Sequence, residues 1–204
     1  SVSTSFALTV NAVNDAPILS DLSNDDIDED GVYTLELSAT DVDQDDLTYF
    51  AQVDGNSSAS VDGSTLTVTP DADFYGNILV SITVSDGQAS DSGSFTLTVN
   101  AINDAPVISS IVDQAINEDA SLILELSATD VDLDVLTFAA ESTDSDASIV
   151  VDGTTLTVTP EDDYNGSFTV DVSVSDGNIS VSTSFALTVN AVNDAPILSD
   201  LSND

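Results

Sequence analysis

Internal repetition constrains this chain before any single residue does. The phrase Asn-Asp-Ala-Pro begins at Asn14, Asn103 and Asn193, so successive copies stand 89 and 90 residues apart. Other phrases keep the same register: ATDVD starts at Ala39 and Ala128, LTVTP at Leu66 and Leu156, VSDG at Val84 and Val174. Residues 1–25 return letter for letter as residues 180–204. A fixed period of this kind marks copies of one folding unit, and it decides the architecture before local detail does. The expected division is 1–15 as the last strand and linker of a preceding repeat, 16–104 and 105–194 as complete repeats, and 195–204 as the first strand of a following one. The one-residue slip between copies lies between Leu47 and Asp62, and between Leu136 and Asp152, which marks a loop insertion. Units of about 90 residues are large enough to hold a core without obligatory staples.

Within each period, apolar and polar residues alternate, and β-branched or aromatic residues fill the apolar positions. Phe95, Leu97 and Val99 share one face, matched by Phe6, Leu8, Val10 and by Phe185, Leu187, Val189. Leu35, Leu37 and Ala39 point one way with Glu36 opposite; Leu124, Leu126, Ala128 and Glu125 repeat the arrangement. Val80, Ile82 and Val84 correspond to Val170, Val172 and Val174. Asp-Gly pairs at Asp62, Asp86, Asp152 and Asp176 predict tight turns. Pro70 and Pro160 close strands where no further ladder N–H is needed. No segment carries a sustained helical stripe. About seven short strands per repeat, with frequent turn signals, predict an all-β chain of tandem immunoglobulin-like sandwiches in a linear array. The Cys and Trp markers of antibody domains are absent, so a relative of that fold is expected.

The chain has 38 Asp and Glu but no Lys, Arg or His, for a net charge of −38, so no side-chain salt bridge can form. A hydrophobic content of 41% argues for a folded core despite that charge. Phosphate recognition needs Lys and Arg, which excludes a nucleic-acid partner, and direct contact with an anionic membrane is disfavoured equally. Self-repulsion of this size weakens compact states unless counter-charge is recruited. A solvated acidic surface in a salty medium and bound divalent cations are both compatible with it. With no Cys, no disulfide braces the fold. His, Cys and Lys are all missing as bases or nucleophiles, so no enzyme is expected. A carboxylate pair could act on glycosides, but no sequence feature marks a cleft. Neither a signal peptide nor a long apolar run is visible. The absence of Lys and Arg also denies trypsin-like proteases a cleavage site, which suits an exposed, extracellular setting.

Acidic residues gather at strand boundaries: the NDAP phrase, Glu29-Asp30 and Glu118-Asp119, Asp41/Asp43 and Asp130/Asp132, the turns after Pro70 and Pro160, and Asp86 and Asp176. Strands rise about 3.3 Å per residue, so strand-end clusters collect at the two poles of a sandwich. Ca2+ suits them, because it takes six to eight oxygen ligands from carboxylates, amide carbonyls and backbone. Each acid also has a plainer reading as a solvated turn residue. Asp130, Asp132, Asp134 and Glu141 occupy EF-hand positions, but Val135 replaces the required Gly and strands flank the loop, so an EF-hand is rejected. Asp91-Ser-Gly93 is read as a turn rather than a protease signature, having no counterpart in the next repeat.

The ordered set of Glu29, ATDVD, LTY at Leu47, VSDG and VNDAP resembles the cadherin-like tandem repeats of giant bacterial RTX-type surface adhesins, and more distantly cadherin extracellular domains. The resemblance spans the whole chain. It implies Ca2+ shared at the junctions between repeats. By position, the complete junction would hold Glu29 with Asp71 or Asp73, Asn103 and Asp104, then Asp130, Asp132 and Asp176. The leading junction would keep Asn14, Asp15, Asp41, Asp43 and Asp86, and the trailing one Glu118, Glu161 or Asp162, Asn193 and Asp194. An LDRE motif is missing, and Ala105 stands where the linker's last Asn would be. The function implied is a non-catalytic extender of a calcium-dependent adhesin on a bacterial surface, its partners being neighbouring repeats of the same chain. The competing reading is a module that grips a glycan, ice or a protein, or self-associates into filaments; a Thr ladder or aromatic platform would favour it. An accessory domain of a secreted enzyme is a third.

Overall fold

The structure is a computed structural model describing residues 3–142 and 147–195, and its contacts divide the chain into two units, Ser1–Ile102 and Asn103–Asp204. One long hairpin organises each. In the first unit it joins β8 (Gly76–Ser85) to β9 (Ser90–Asn100). Ile78, Val80, Ile82 and Val84 of β8 are fully buried, while Leu79 and Ser81 between them stay exposed and Thr83 is half-buried. Burying each such Val or Ile is worth about 1.5–3 kcal/mol, so the alternation alone commits this strand to the centre of a sheet.

β5 (Thr48–Val53) pairs antiparallel with β8, and β2 (Asp25–Asp28) pairs in parallel with β9, giving the order β2-β9-β8-β5. A second sheet has the order β3 (Tyr33–Glu36), β7 (Thr65–Pro70), β6 (Ser57–Asp62). Asp62 faces Thr65 across a two-residue turn led by Gly63 at φ 61°, as the Asp-Gly pair predicts. A short ladder joins β1 (Ile18–Leu19) to β4 (Ala39–Thr40). Leu66, Val68, Val80, Ile82, Phe95, Leu97 and Val99 meet between the two large sheets, with Tyr33 and Leu37, as one core.

The second unit repeats the plan. β11 (Gln114–Asn117), β18 (Ser180–Asn190), β17 (Gly166–Ser175) and β14 (Thr137–Ser142) form the four-stranded sheet. β12 (Leu122–Glu125), β16 (Thr155–Pro160) and β15 (Ala147–Asp152) form the three-stranded one, and β10 (Val107–Ile108) pairs with β13 (Ala128–Thr129). Its core gathers Leu156, Val158, Phe168, Val170, Val172, Phe185, Leu187 and Val189. Where β8 and β17 begin, the aromatic ring two residues earlier lies against the chain. A Cβ on Gly76 would meet the Phe74 ring at 3.3 Å, and one on Gly166 the Tyr164 hydroxyl at 3.0 Å. With φ of 135° and 156°, both positions favour glycine.

The all-β sandwich expected from the alternation is what both units form. The strands that a periodicity reading hides are the two-residue ladders and β2 and β11, which carry only one and two apolar side chains. No helix among the described residues is long and apolar enough to cross a membrane. The one-residue slip falls at the connection between β5 and β6 (54–56) and between β14 and β15 (143–146).

One expected strand is not formed. Phe6, Leu8 and Val10 are 89%, 80% and 84% exposed and lie outside any sheet. The identical sequence in β18 is held between β11 and β17. Residues 3–11 have no such pair of flanking strands among the described residues, and a lone strand cannot satisfy its backbone. The first strand expected at 195–204, including Pro196, lies outside the described residues apart from Ala195.

Candidate metal centre

At the N-terminal pole of the first unit, the chain leaves β4 through Asp41-Val-Asp43-Gln-Asp45. Asp41 Oδ1 accepts the N–H groups of Asp43 (2.8 Å) and Asp45 (3.4 Å), and Gln44 adopts φ 64° to complete the tight loop. Asp41, Asp43 and Asp45 thereby bring one carboxylate oxygen each to within 4.8 Å of the others. The second unit repeats this with Asp130, Asp132 and Asp134, where Leu133 has φ 63° and Asp134 N–H donates to Asp130 Oδ1 at 3.3 Å. Asp41 Oδ2 and Asp130 Oδ2 are buried without a hydrogen-bond partner. Leaving a buried polar group unmatched costs about 1–3 kcal/mol, and more when it is charged. The same two atoms are orphaned at the same place in both repeats.

The linker Asn and Asp sit beside these loops. Asn14 Nδ2 donates to Asp86 Oδ2 at 2.9 Å, and Asp15 N–H donates to Asp43 Oδ2 at 2.8 Å. In the second unit, Asn103 Nδ2 donates to Asp176 Oδ2 at 2.9 Å and Asp104 N–H to Asp132 Oδ2 at 2.8 Å. The Ala89 N–H, the Asn14 amide and the Gln88 N–H together hold the Asp86 carboxyl below its ordinary range. The Asn103 amide, then the Ile179 and Asn178 N–H groups, do the same for Asp176. Asp45 moves the other way: loss of hydration, then the charges of Asp41, Asp43, Asp86 and Asp46, push its carboxyl up.

The opposite pole is set by the parallel pairing of β2 with β9. Asp28 lies opposite Asn100, so Glu29 emerges beside the end of β9, and its N–H donates to the Asn100 carbonyl at 2.9 Å. Glu29 is 8% exposed, and its carboxylate accepts the Ile102 N–H. Glu118 is 8% exposed too, donating to the Asn190 carbonyl and accepting the Val192 N–H. Next to each Glu, an Asp with positive φ (Asp30, Asp119) accepts the N–H of a second one (Asp73, Asp163) at 3.2 Å. Asp119, Asp163 and Asp194 each place a carboxylate oxygen within 4.8 Å of the others. Asn193 is exposed and donates its amide to the Asp194 carbonyl. Asp71, Glu161 and Asp162 are exposed at the head of the turn, outside that cluster. With ten residues in β8, the two poles of a unit lie roughly 30 Å apart, so these are separate sites.

Asp45, Asp134, Asp119 and Asp163 are the acids that the sequence reading did not place in a site. The repeated D-x-D-x-D spacing could have pointed to the first two. Nothing in the spacing singles out Asp163 over its neighbours; it adopts a left-handed backbone and places its exposed carboxylate beside those of Asp119 and Asp194. Oxygen is the sole donor type at both poles, and the orphaned oxygens of Asp41 and Asp130 fit a hard divalent cation such as Ca2+.

Residues 102–190 match the family model described as a cadherin-like domain, and residues 14–99 the one described as a bacterial Ig domain. Among solved structures, the chain resembles human protocadherin-24 EC1-2 (form II) with a TM-score of 0.55 at 17% identity, covering 86% of this chain and 99% of that one. Human mucin-like protocadherin EC1-2 is similar at a TM-score of 0.49 and 18% identity, over 86% of this chain and 98% of that one. An endo-fucoidan hydrolase of glycoside hydrolase family 107 aligns at a TM-score of 0.40 and 20% identity, over 87% of this chain. The chain spans only 29% of that hydrolase's length, and the resemblance carries no catalytic argument. None of the curated proteins matches the chain. Each of the two sandwiches with its acidic poles thus matches one domain model, the first unit a bacterial Ig domain and the second a cadherin-like domain.

Proposed function

We propose that this chain is a non-catalytic extender of a large calcium-dependent adhesin outside a bacterial cell, with neighbouring repeats of the same chain as its partners. The supporting observation is the repeated trio Asp41, Asp43, Asp45 and Asp130, Asp132, Asp134, each with a buried orphaned oxygen, in a chain without a single cationic side chain. Ca2+, when bound, supplies the positive charge that no side chain here carries. At the N-terminal pole of each repeat, the trio would hold it, helped by Asp15 and Asp86 in the first and by Asp104 and Asp176 in the second. Glu29 and Asp73, and Glu118, Asp163 and Asp194, stand at the C-terminal poles, from which the chain runs directly into the next linker. Carboxylates of successive repeats would thus serve one junction, and length would come from the number of repeats.

The test is thermal melting and small-angle scattering in Ca2+ and in chelator. A ligand that binds only the folded state at a hundred times its Kd stabilises by about 2.7 kcal/mol. Melting should therefore shift upward in Ca2+, and the particle should become longer and stiffer. If neither the melting temperature nor the maximum dimension responds, the reading fails.

A further inference from the structure

We propose that Gln88 and Asn178 are positioning residues of a metal-independent latch, which builds each linker Asn-Asp into the repeat that follows it. The latch lies at the same pole as the proposed calcium site but needs no ion.

The argument starts at Asp176. Its Oδ1 accepts the N–H groups of Asn178 and Ile179, both at 2.6 Å, so the carboxylate is clamped by its own loop. Its Oδ2 accepts Asn103 Nδ2 at 2.9 Å. The Asn103 carbonyl oxygen in turn accepts Asn178 Nδ2 at 2.6 Å, which closes a ring of three side chains across 75 residues of sequence. The ring fixes the orientation of the Asn103 amide: turned over, its oxygen would face the Asp176 carboxylate, acceptor against acceptor. The Asp104 N–H then falls on Asp132 Oδ2 at 2.8 Å.

The first repeat builds the same ring from a different residue. Asp86 Oδ1 accepts Gln88 N–H (2.7 Å) and Ala89 N–H (2.6 Å), Asp86 Oδ2 accepts Asn14 Nδ2 (2.9 Å), and Asn14 Oδ1 accepts Gln88 Nε2 (3.0 Å). Gln and Asn differ by one methylene, yet each closes the ring. Asn14 and Asn103 are half-buried, whereas Asn193, the third copy of the phrase, is exposed and, among the described residues, donates its amide to the neighbouring Asp194 carbonyl. The division of the chain between Ile102 and Asn103 agrees, since it assigns the linker to the second unit. In a chain without cations, the amide N–H groups of Asn and Gln stand in for the missing positive charge.

The test is amide hydrogen exchange on the whole chain in chelator, read by NMR at the Asp104 and Asp15 N–H groups. Both should exchange at least about tenfold more slowly than unprotected peptide. Asn178→Ala should return Asp104 to within about twofold of the unprotected rate, and Asn178→Gln should restore protection, because Gln88 already does that work in the first repeat. The core amides of β17 and β18 report whether each variant keeps its fold. If Asn178→Ala disturbs them, Asn103→Asp removes the donor at nearly constant volume and is read in the same way. Unprotected exchange at Asp104 in the native chain, or protection unchanged by Asn178→Ala, would overturn the latch. A chain that ignores Ca2+ in melting but keeps Asp104 protected would sink the calcium reading and leave the latch standing.

Discussion

The Glu29 carboxylate accepts the backbone N–H of Ile102, a residue 73 positions later, while the very next residue, Asn103, donates its amide to Asp176. Two consecutive residues are therefore tied to different repeats. The buried carboxylate that holds Ile102 has no cationic partner, and its N–H donor is what makes its burial tolerable. Glu29→Ala should destabilise the first repeat by about 1–3 kcal/mol in chelator, as should Glu118→Ala the second, because each leaves a backbone donor without its acceptor. Urea unfolding of the single variants measures this; an unchanged midpoint would show the contact to be energetically idle.

Acidification should act in two stages when calcium is removed. Asp45 has its carboxyl raised in the fold, so the folded state binds protons more readily there, and protonation through that raised value adds stability. Asp86 and Asp176 are held low by N–H donors, so their contribution is present above the unfolded pKa and is lost as pH falls through the lowered folded values. Stability in chelator should thus hold or rise on approaching the carboxylate range from above, then drop below it. Asp176→Asn should flatten the acid limb for the second repeat. Thermal melts across pH check both stages.

The third Asp of each trio should matter to cation binding, although Asp134 was legible only as part of a rejected EF-hand pattern and Asp45 not at all. Asp45→Asn and Asp134→Asn should each weaken Ca2+ binding by about tenfold or more, since affinity follows ligand charge. Asp71→Asn and Glu161→Gln, exposed and outside the clusters, should leave it nearly unchanged. Isothermal titration of the four variants decides between these outcomes.

Glu141 and Asp171 are direct cross-strand partners on β14 and β17, where the first repeat has Gln52 opposite Ser81. Like charges placed this way oppose pairing. Glu141→Gln should stabilise the second repeat by about 0.2–1 kcal/mol at low ionic strength, with the gain shrinking in salt. Paired urea titrations at low and high salt would show it, and a destabilised variant would contradict it.

The sandwich was legible because Val80, Ile82 and Val84, like Val170, Val172 and Val174, alternate with polar residues and end fully buried. β2 was not legible: Asp-Asp-Ile-Asp reads as a charged loop, and only the long parallel partner β9 makes it a strand. That strand is nevertheless what delivers Glu29 to the pole. Asp41, Asp43 and Asp86 were legible as site candidates because their spacing recurs in both repeats. Gln88 and Asn178 were not, since polar loop residues carry no periodic signal and their role lies in an amide aimed at a residue more than 70 positions away. Phe6, Leu8 and Val10 show the limit from the other side, with ideal alternation but no strand pairing among the described residues.

That last segment gives the molecule an unusual property. Residues 1–11 repeat, letter for letter, the strand that completes the second sandwich as β18. A chain cut short after Asn178 would present an open slot between β11 and β17, and a segment with that sequence would fit it. A free peptide of residues 1–11 should then bind the truncated chain and restore the melting of its second repeat.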